Sequence, residues 1–88
     1  MGKAEIQRWL EDGKANGATH MLVVCDTYDF EDYPVYVYPP EKKSQYNETD
    51  VNRAFQRYNQ KNMQKVMEVY SFDLSLKSQL NEHRAMHL

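Results

Sequence analysis

The spacing of apolar residues predicts an amphipathic helix near the start of the chain. Ile6, Trp9 and Leu10 fall at positions i, i+3 and i+4, so a helix over residues 3–13 places them on one face. The Asn-Gly pair at 16–17 is a typical C-terminal stop, because both residue types tolerate the left-handed conformation that ends many helices.

Two strands follow this helix in the predicted order. Residues 19–27 contain five consecutive apolar residues, which predicts a central strand covered on both faces. Residues 33–38 predict a second strand with its valines on one face and its tyrosines on the other. Pro34 and the prolines at 39–40 favour an edge position. The short link between the strands predicts an antiparallel hairpin.

A second amphipathic stripe predicts a helix over residues 48–60. Its apolar members, at i, i+3, i+4 and i+7, are Val51, Ala54, Phe55 and Tyr58. We expect Asn47 to cap this helix, with the Asp50 carboxylate placed favourably in its first turn, where the helix dipole is positive. The polar residues 41–47 before it predict a loop.

The segment after residue 62 fits either a strand or a continuation of that helix. β-Branched and aromatic residues favour a strand over residues 66–72. The polar residues 59–62 provide a break before this strand. Because no Gly or Pro occurs between residues 41 and 88, one long helix over residues 48–70 is the alternative.

The last predicted element is a helix over residues 74–87, which Asp73 or Ser75 can cap. The element order is then α-β-β-α-β-α. The predicted fold class is α+β, with a small three-stranded antiparallel sheet packed with two to three helices. We expect these helices on one face of the sheet, within a single compact domain spanning residues 1–88.

Composition is that of a small globular protein. Of the 88 residues, 41% are hydrophobic and 27% are charged, and no apolar run approaches the ~18 residues of a membrane helix. A single cysteine excludes an internal disulfide and favours the reducing cytoplasm. A core of this size is marginal, so we expect either tight aromatic packing or a homo-oligomer.

Acidic and aromatic residues are concentrated at the predicted hairpin turn. The seven candidates for partner binding are Asp26, Tyr28, Asp29, Phe30, Glu31, Asp32 and Tyr33. Aromatic anchors among acids predict a surface that binds a protein with a basic surface. A cation site is less favoured, since the glycine and ligand spacing of a calcium loop are missing. The plain alternative is a solvated turn in which Asp side chains cap their own backbone.

Residues 42–65 carry six bases and two acids, and provide a second candidate site. Four of these bases recur every fourth residue, so a continuous helix would align them in one stripe. The predicted ligand is an anionic nucleotide, bound by bases and stacked on an aromatic ring. The candidate residues are Arg53, Arg57 and Lys61, with Tyr58 or Tyr46 for stacking. A solvated helix face is the plain alternative, and the pI near 5.9 argues against general nucleic-acid binding.

Catalytic and metal-binding signals are few. His83 and His87 would share a face of the last predicted helix and could ligate one metal ion, but the sequence lacks the H-E-x-x-H order. Cys25 lies in the apolar run, and His20 points to the opposite face of the same strand. We therefore expect no metal, no cofactor and no enzymatic activity, with a metal-dependent nuclease as the least favoured alternative.

The segments THMLVVCDTYDFEDYPVYV (19–37) and NMQKVMEVY (62–70) resemble small proteins encoded by bacteriophages and prophages. The resemblance implies a cytoplasmic protein of a bacterial host that acts by stoichiometric interaction. Inhibition of a host or anti-phage defence protein is the first function it implies. A homo-oligomeric sponge that sequesters a nucleotide signal is the second. The resemblance brings no catalytic residue and no cofactor.

Overall fold

The computed structural model of the protein describes residues 2–44 and 47–88. Three strands form one antiparallel sheet in the order β2-β1-β3: β1 (His20–Asp26), β2 (Asp32–Val37) and β3 (Gln64–Ser71). The helices of the described residues are α1 (Lys3–Ala15), α2 (Val51–Tyr58) and α3 (Leu76–Leu80), with a short 3-10 turn at Pro40–Lys42. The predicted α+β class and the order α-β-β-α-β-α are confirmed, and residues 64–71 form a strand rather than a helix.

Strand β1 occupies the centre of the sheet, as its apolar run predicts. Met21 to Cys25 are all buried, and β1 pairs antiparallel with both neighbours. β2 is an edge strand with Pro34 in it, and the short link at 27–31 closes the predicted hairpin.

Helices cover both faces of the sheet, so the expectation of one covered face is wrong. Helix α2 packs on the face that contains Leu22 and Val24. Helices α1 and α3 pack on the opposite face, which contains Met21 and Val23. Successive residues of a strand point to opposite faces, so the continuous apolar run of β1 needs a cover on each side.

The side chains of β2 alternate, but not as valines against tyrosines. Tyr33 packs with Val35 and Val37 on the α2 face, whereas Tyr36 packs on the α1 face. The hydroxyl of Tyr36 donates to the carbonyl oxygen of Trp9 at 2.8 Å. The prediction that all tyrosines of β2 lie on the face opposite its valines is therefore wrong for Tyr33. Strict alternation places Tyr33 on the same face as Val35 and Val37.

Helix α2 is shorter than predicted, and its N-cap is Asp50 rather than Asn47. The Asp50 Oδ1 atom accepts from the backbone N–H groups of Asn52 and Arg53 at 2.9 and 3.2 Å. These bonds satisfy donors that the first helical turn leaves unpaired. Asn47 instead donates its side-chain amide to the carbonyl oxygen of Lys42.

Helix α3 is held against the end of β3 by a buried glutamine. The Oε1 atom of Gln79 accepts from the backbone N–H of Ser71, and its Nε2 atom donates to the Ser71 carbonyl oxygen, both at 2.8 Å. Gln79 is only 1% exposed. Ser75 caps α3 as predicted, because its Oγ atom accepts from the N–H of Ser78.

The predicted helix over residues 74–87 is wrong beyond the end of α3. The N–H of Val69 donates to the carbonyl oxygen of Ala85, and the N–H of His87 donates to the carbonyl oxygen of Val69. The Arg84 guanidinium also donates to two carbonyl oxygens of β3. The last residues therefore pair with the outer edge of β3, whose backbone groups a helix would leave uncovered.

Candidate functional site

Two turns lie side by side at the end of the sheet where β1 ends and β2 begins. Residues 27–31 connect β1 to β2, and residues 59–63 connect α2 to β3. The backbone N–H of Thr27 donates to the carbonyl oxygen of Met63 at 2.7 Å and joins the two turns. The surface formed by residues 27–31 and 59–63 is referred to below as the tip.

The tip exposes three large apolar side chains. Tyr28 is 77% exposed, Phe30 is 78% exposed and Met63 is 58% exposed. Leu74 and Leu88, the other exposed large apolar residues of the described chain, line a recess at the opposite end of the sheet. Single exposed apolar residues are common on protein surfaces, whereas a cluster of them is typical of an interaction site.

The backbone of the tip adopts left-handed conformations that side chains disfavour. Phe30 and Met63 both have φ of 60°, and Gln60 and Asn62 share the positive sign. Within residues 2–44 and 47–88, no other non-glycine residue has positive φ. The left-handed conformation costs roughly 1–2 kcal/mol for an ordinary residue. Such strain is concentrated at functional sites in many proteins.

Aspartates brace the first turn of the tip. The Oδ1 atom of Asp26 accepts from the N–H of Tyr28 at 2.8 Å, and the Oδ1 atom of Asp29 accepts from the N–H of Glu31 at 3.1 Å. The N–H of Phe30 donates to the Asp26 carbonyl oxygen at 2.7 Å. These are the contacts of the solvated-turn interpretation. They also fix the direction in which the two aromatic side chains leave the turn.

The four acids of the hairpin have different surroundings. Asp29 and Glu31 are exposed, whereas Asp26 and Asp32 are half-buried beside the sheet. Burial raises the pKa of the Cys25 thiol, and the nearby Asp32 carboxylate raises that pKa further. The thiol therefore stays protonated, which disfavours nucleophilic chemistry at Cys25.

The sequence predicts Tyr33 as part of the binding surface. In the structure, its side chain lies mostly beneath the surface of the hairpin. Its ring packs half-buried against the cluster under α2, and its hydroxyl accepts a hydrogen bond from the Gln64 side chain. Burial raises the pKa of Tyr33. Tyr33 supports the hairpin from the core side and contributes less exposed surface than Tyr28 or Phe30.

The four regularly spaced bases do not lie on one helix. Arg53 and Arg57 belong to α2, whereas Lys61 lies in the turn after it and Lys65 on β3. The guanidinium of Arg57 forms an ion pair with Glu48 at 3.1 Å. Of the three predicted nucleotide-binding bases, two thus lie on α2, and Lys61 lies on the tip.

Of the two aromatic residues predicted as alternatives for stacking on a nucleotide, the structure describes only Tyr58. Tyr58 packs half-buried against the core cluster under α2. Tyr46 lies outside the described residues. Arg53 and Arg57 line one recess, which the carboxylates of Glu48 and Asp50 also line. The nucleotide site stays a prediction.

The predicted histidine pair does not share a helix face, because α3 ends before it. His87 contacts the carboxylate of Glu82 at 2.7 Å, and His83 is exposed. In the part of the chain that the structure describes, no three His, Cys, Asp or Glu side chains are grouped to hold a metal ion. None of the helices described is both long enough and apolar enough to cross a membrane.

Sequence reasoning missed the second turn of the tip. The polar run at 59–62 predicts only a break before a strand, and the sequence pattern predicts no surface role for Met63. Asparagine in this run is a weak signal, since it adopts positive φ more readily than most residues. The contact between Thr27 and Met63 joins residues far apart in the sequence, so no local pattern reveals it.

No protein-family model, curated protein or solved structure matches the chain. The resemblance to small phage proteins therefore stays a prediction.

Proposed function

We propose that the protein acts by stoichiometric binding and that the tip is its binding surface for another protein. The observation that carries this proposal is the exposure of Tyr28 and Phe30 beside Met63, on turns fixed by backbone hydrogen bonds. Aromatic side chains supply large contact area at a low entropic cost, especially when the backbone beneath them is already ordered.

The charges of the tip indicate the chemistry of the partner. Asp29 and Glu31 are exposed on either side of Phe30. A partner that fits this arrangement has an apolar recess bordered by Lys or Arg side chains. Such a charged rim accelerates association and selects among partners, whereas the apolar contacts supply most of the affinity.

The resemblance implies that the partner is a host or anti-phage defence protein and that binding inhibits it. In that case the tip would cover a surface that the target needs for its own activity. The proposal requires no cofactor and no catalytic residue.

Affinity capture with matched variants tests this function. The immobilised full chain is incubated with a bacterial lysate, the source that the resemblance implies, and compared with a Tyr28→Ala/Phe30→Ala variant. Leu74→Ala is the control, since Leu74 is an exposed apolar residue at the opposite end of the sheet. We expect a partner that the wild type and the control retain, with affinity for the double variant reduced about 30-fold or more.

A second pair of variants tests the acidic rim. Asp29→Lys/Glu31→Lys should lower the association rate and reverse its dependence on salt, because the attraction to a basic partner becomes repulsion. Equal retention by the wild type and the Tyr28→Ala/Phe30→Ala variant would contradict the proposed function. Circular dichroism checks that each variant is folded.

A further inference from the structure

A groove lies between α1 and α3, on the face of the sheet opposite α2. Its volume is about 460 Å³, within the roughly 300–1,000 Å³ of ordinary small-molecule sites. Leu10, Leu76 and Leu80 form its apolar floor. Leu10 belongs to the buried core cluster beneath the helices, and Leu76 and Leu80 are half-buried and pack against that cluster, so the floor is fixed by packing.

The two helices that form the groove run in opposite directions. A β-carbon built on Gly13, near the end of α1, would lie 2.8 Å from the ring of Phe72, which precedes α3. Ile6, near the start of α1, lines a recess with Arg84, which follows α3. The end of α1 therefore lies beside the start of α3.

The walls of the groove are basic, although the protein carries a net charge of −2. Lys3, Lys14 and Lys77 line it, and Glu11 is its one acidic residue. Because the helices are antiparallel, Lys14 and Lys77 lie at the same end, and Lys3 lies towards the other. Lysine stems cover apolar surface while their ammonium groups stay in water, where they can meet a charged head group.

We propose that this groove binds a linear apolar chain ending in a carboxylate, namely a free fatty acid, with the carboxylate between Lys14 and Lys77. The apolar chain would follow the leucine floor towards Lys3. The helical rise from Lys3 to Lys14 is about 16 Å, similar to the extended length of dodecanoate. Two ammonium groups at one end of an apolar floor match both parts of such a ligand. This site is separate from the tip and does not depend on the proposed function.

Titration of the purified full chain with monomeric dodecanoate, below its micelle concentration, tests the proposal. Isothermal calorimetry gives affinity and stoichiometry, and the fluorescence of Trp9, the single tryptophan, reports on α1. We expect saturable binding of one dodecanoate per chain. The Lys14→Glu/Lys77→Glu variant should bind at least about tenfold more weakly, because both head-group contacts become repulsive.

Matched variants separate a specific site from general attraction. Lys43→Glu/Lys65→Glu changes the net charge equally at two exposed lysines outside the groove, and its affinity should stay within about twofold of the wild type. Glu11→Gln should tighten binding, since it removes the one carboxylate of the groove. Lys14→Gln/Lys77→Gln provides a milder pair if charge reversal disturbs folding, and should also weaken binding.

The opposite head group gives the sharpest control. Dodecyltrimethylammonium has the same apolar chain, and its affinity for the wild type should be at least about tenfold lower. Equal affinity for the two head groups would overturn the proposal. So would unchanged dodecanoate binding by Lys14→Glu/Lys77→Glu, or binding only to phosphatidylglycerol vesicles, which would make the occupant a membrane surface.

Discussion

The two ends of the sheet differ in the hydrogen bonding and the solvent exposure of their residues. At the end opposite the tip, Gln79 satisfies both backbone groups of Ser71, and Tyr36 bonds to α1. At the tip, Tyr28 and Phe30 stay more than three-quarters exposed on a turn with positive φ. The end opposite the tip is thus closed by buried hydrogen bonds, with Leu74 and Leu88 about half exposed beside them, whereas the tip holds the two most exposed large apolar side chains of the described residues.

The end opposite the tip shows how few residues are needed to close this sheet. A five-residue helix and a short extended tail are sufficient to close the end of β3 and its outer edge. Because so few residues are enough to cover one end of the sheet, the exposure of Tyr28 and Phe30 at the tip does not follow from the small size of the chain. The proposed intermolecular contact would account for both the exposed side chains and the strained backbone beneath them.

The largest effect on stability is expected at the end of the sheet opposite the tip, which is called the closed end below. Gln79→Leu keeps the side-chain volume but leaves the N–H and carbonyl of Ser71 buried without partners. We expect a loss of about 3 kcal/mol in the free energy of unfolding, since each buried unsatisfied group costs roughly 1–3 kcal/mol. Urea denaturation measures this loss. Gln56→Leu, on the exposed side of α2, is the control and should change stability by less than about 0.5 kcal/mol.

A change of opposite sign is expected at the tip. Phe30→Gly should raise the free energy of unfolding by about 1 kcal/mol, because glycine adopts positive φ without a steric penalty. Tyr28→Gly is the matched control, since Tyr28 is equally exposed but not at positive φ, and should lower stability slightly. A loss of stability in both variants would show that the turn is not strained at Phe30.

The smallest effect concerns pH, again at the closed end. His20 is half-buried there, in a recess with Asp73 and His87. Burial lowers the pKa of His20, and the nearby Asp73 carboxylate offsets this only in part. The unfolded chain therefore binds the proton at higher pH than the folded chain, so stability falls as the pH drops through about 6.5 and below.

Thermal unfolding at a series of pH values measures this dependence. His20→Gln should lose less stability than the wild type between about pH 7 and pH 5. His83→Gln, at an exposed position, should behave as the wild type does. An unchanged pH profile in His20→Gln would assign the acid sensitivity to other groups.

Local patterns predicted most of the fold, and tertiary contacts account for the errors. The apolar run of β1, the stripe of α1 and the Pro34 edge signal were sufficient because each reflects burial of the element that contains it. The helix predicted over residues 74–87 failed because the edge of β3 pairs with Ala85 and His87. The spacing of residues in the tail itself contains no signal of that pairing.

The candidate site was predicted only in part, because local sequence patterns indicate some of its residues and tertiary contacts determine the others. The turn context of Tyr28 and Phe30 predicts that both lie on the surface, and both are exposed. Tyr33 was selected by proximity in sequence, although strand alternation directs it to the core. Met63 was missed because only the packing of two distant turns brings it to the tip.

Position-specific photo-crosslinking is the decisive measurement for the tip. A benzoylphenylalanine side chain is introduced in place of Phe30 in one sample and in place of Leu74 in another, and both are irradiated in the lysate used for capture. If the tip binds another protein, the first sample gives a discrete crosslinked product with the captured partner and the second gives none. Capture of that partner with crosslinks at Leu74 and none at Phe30 would contradict the proposal.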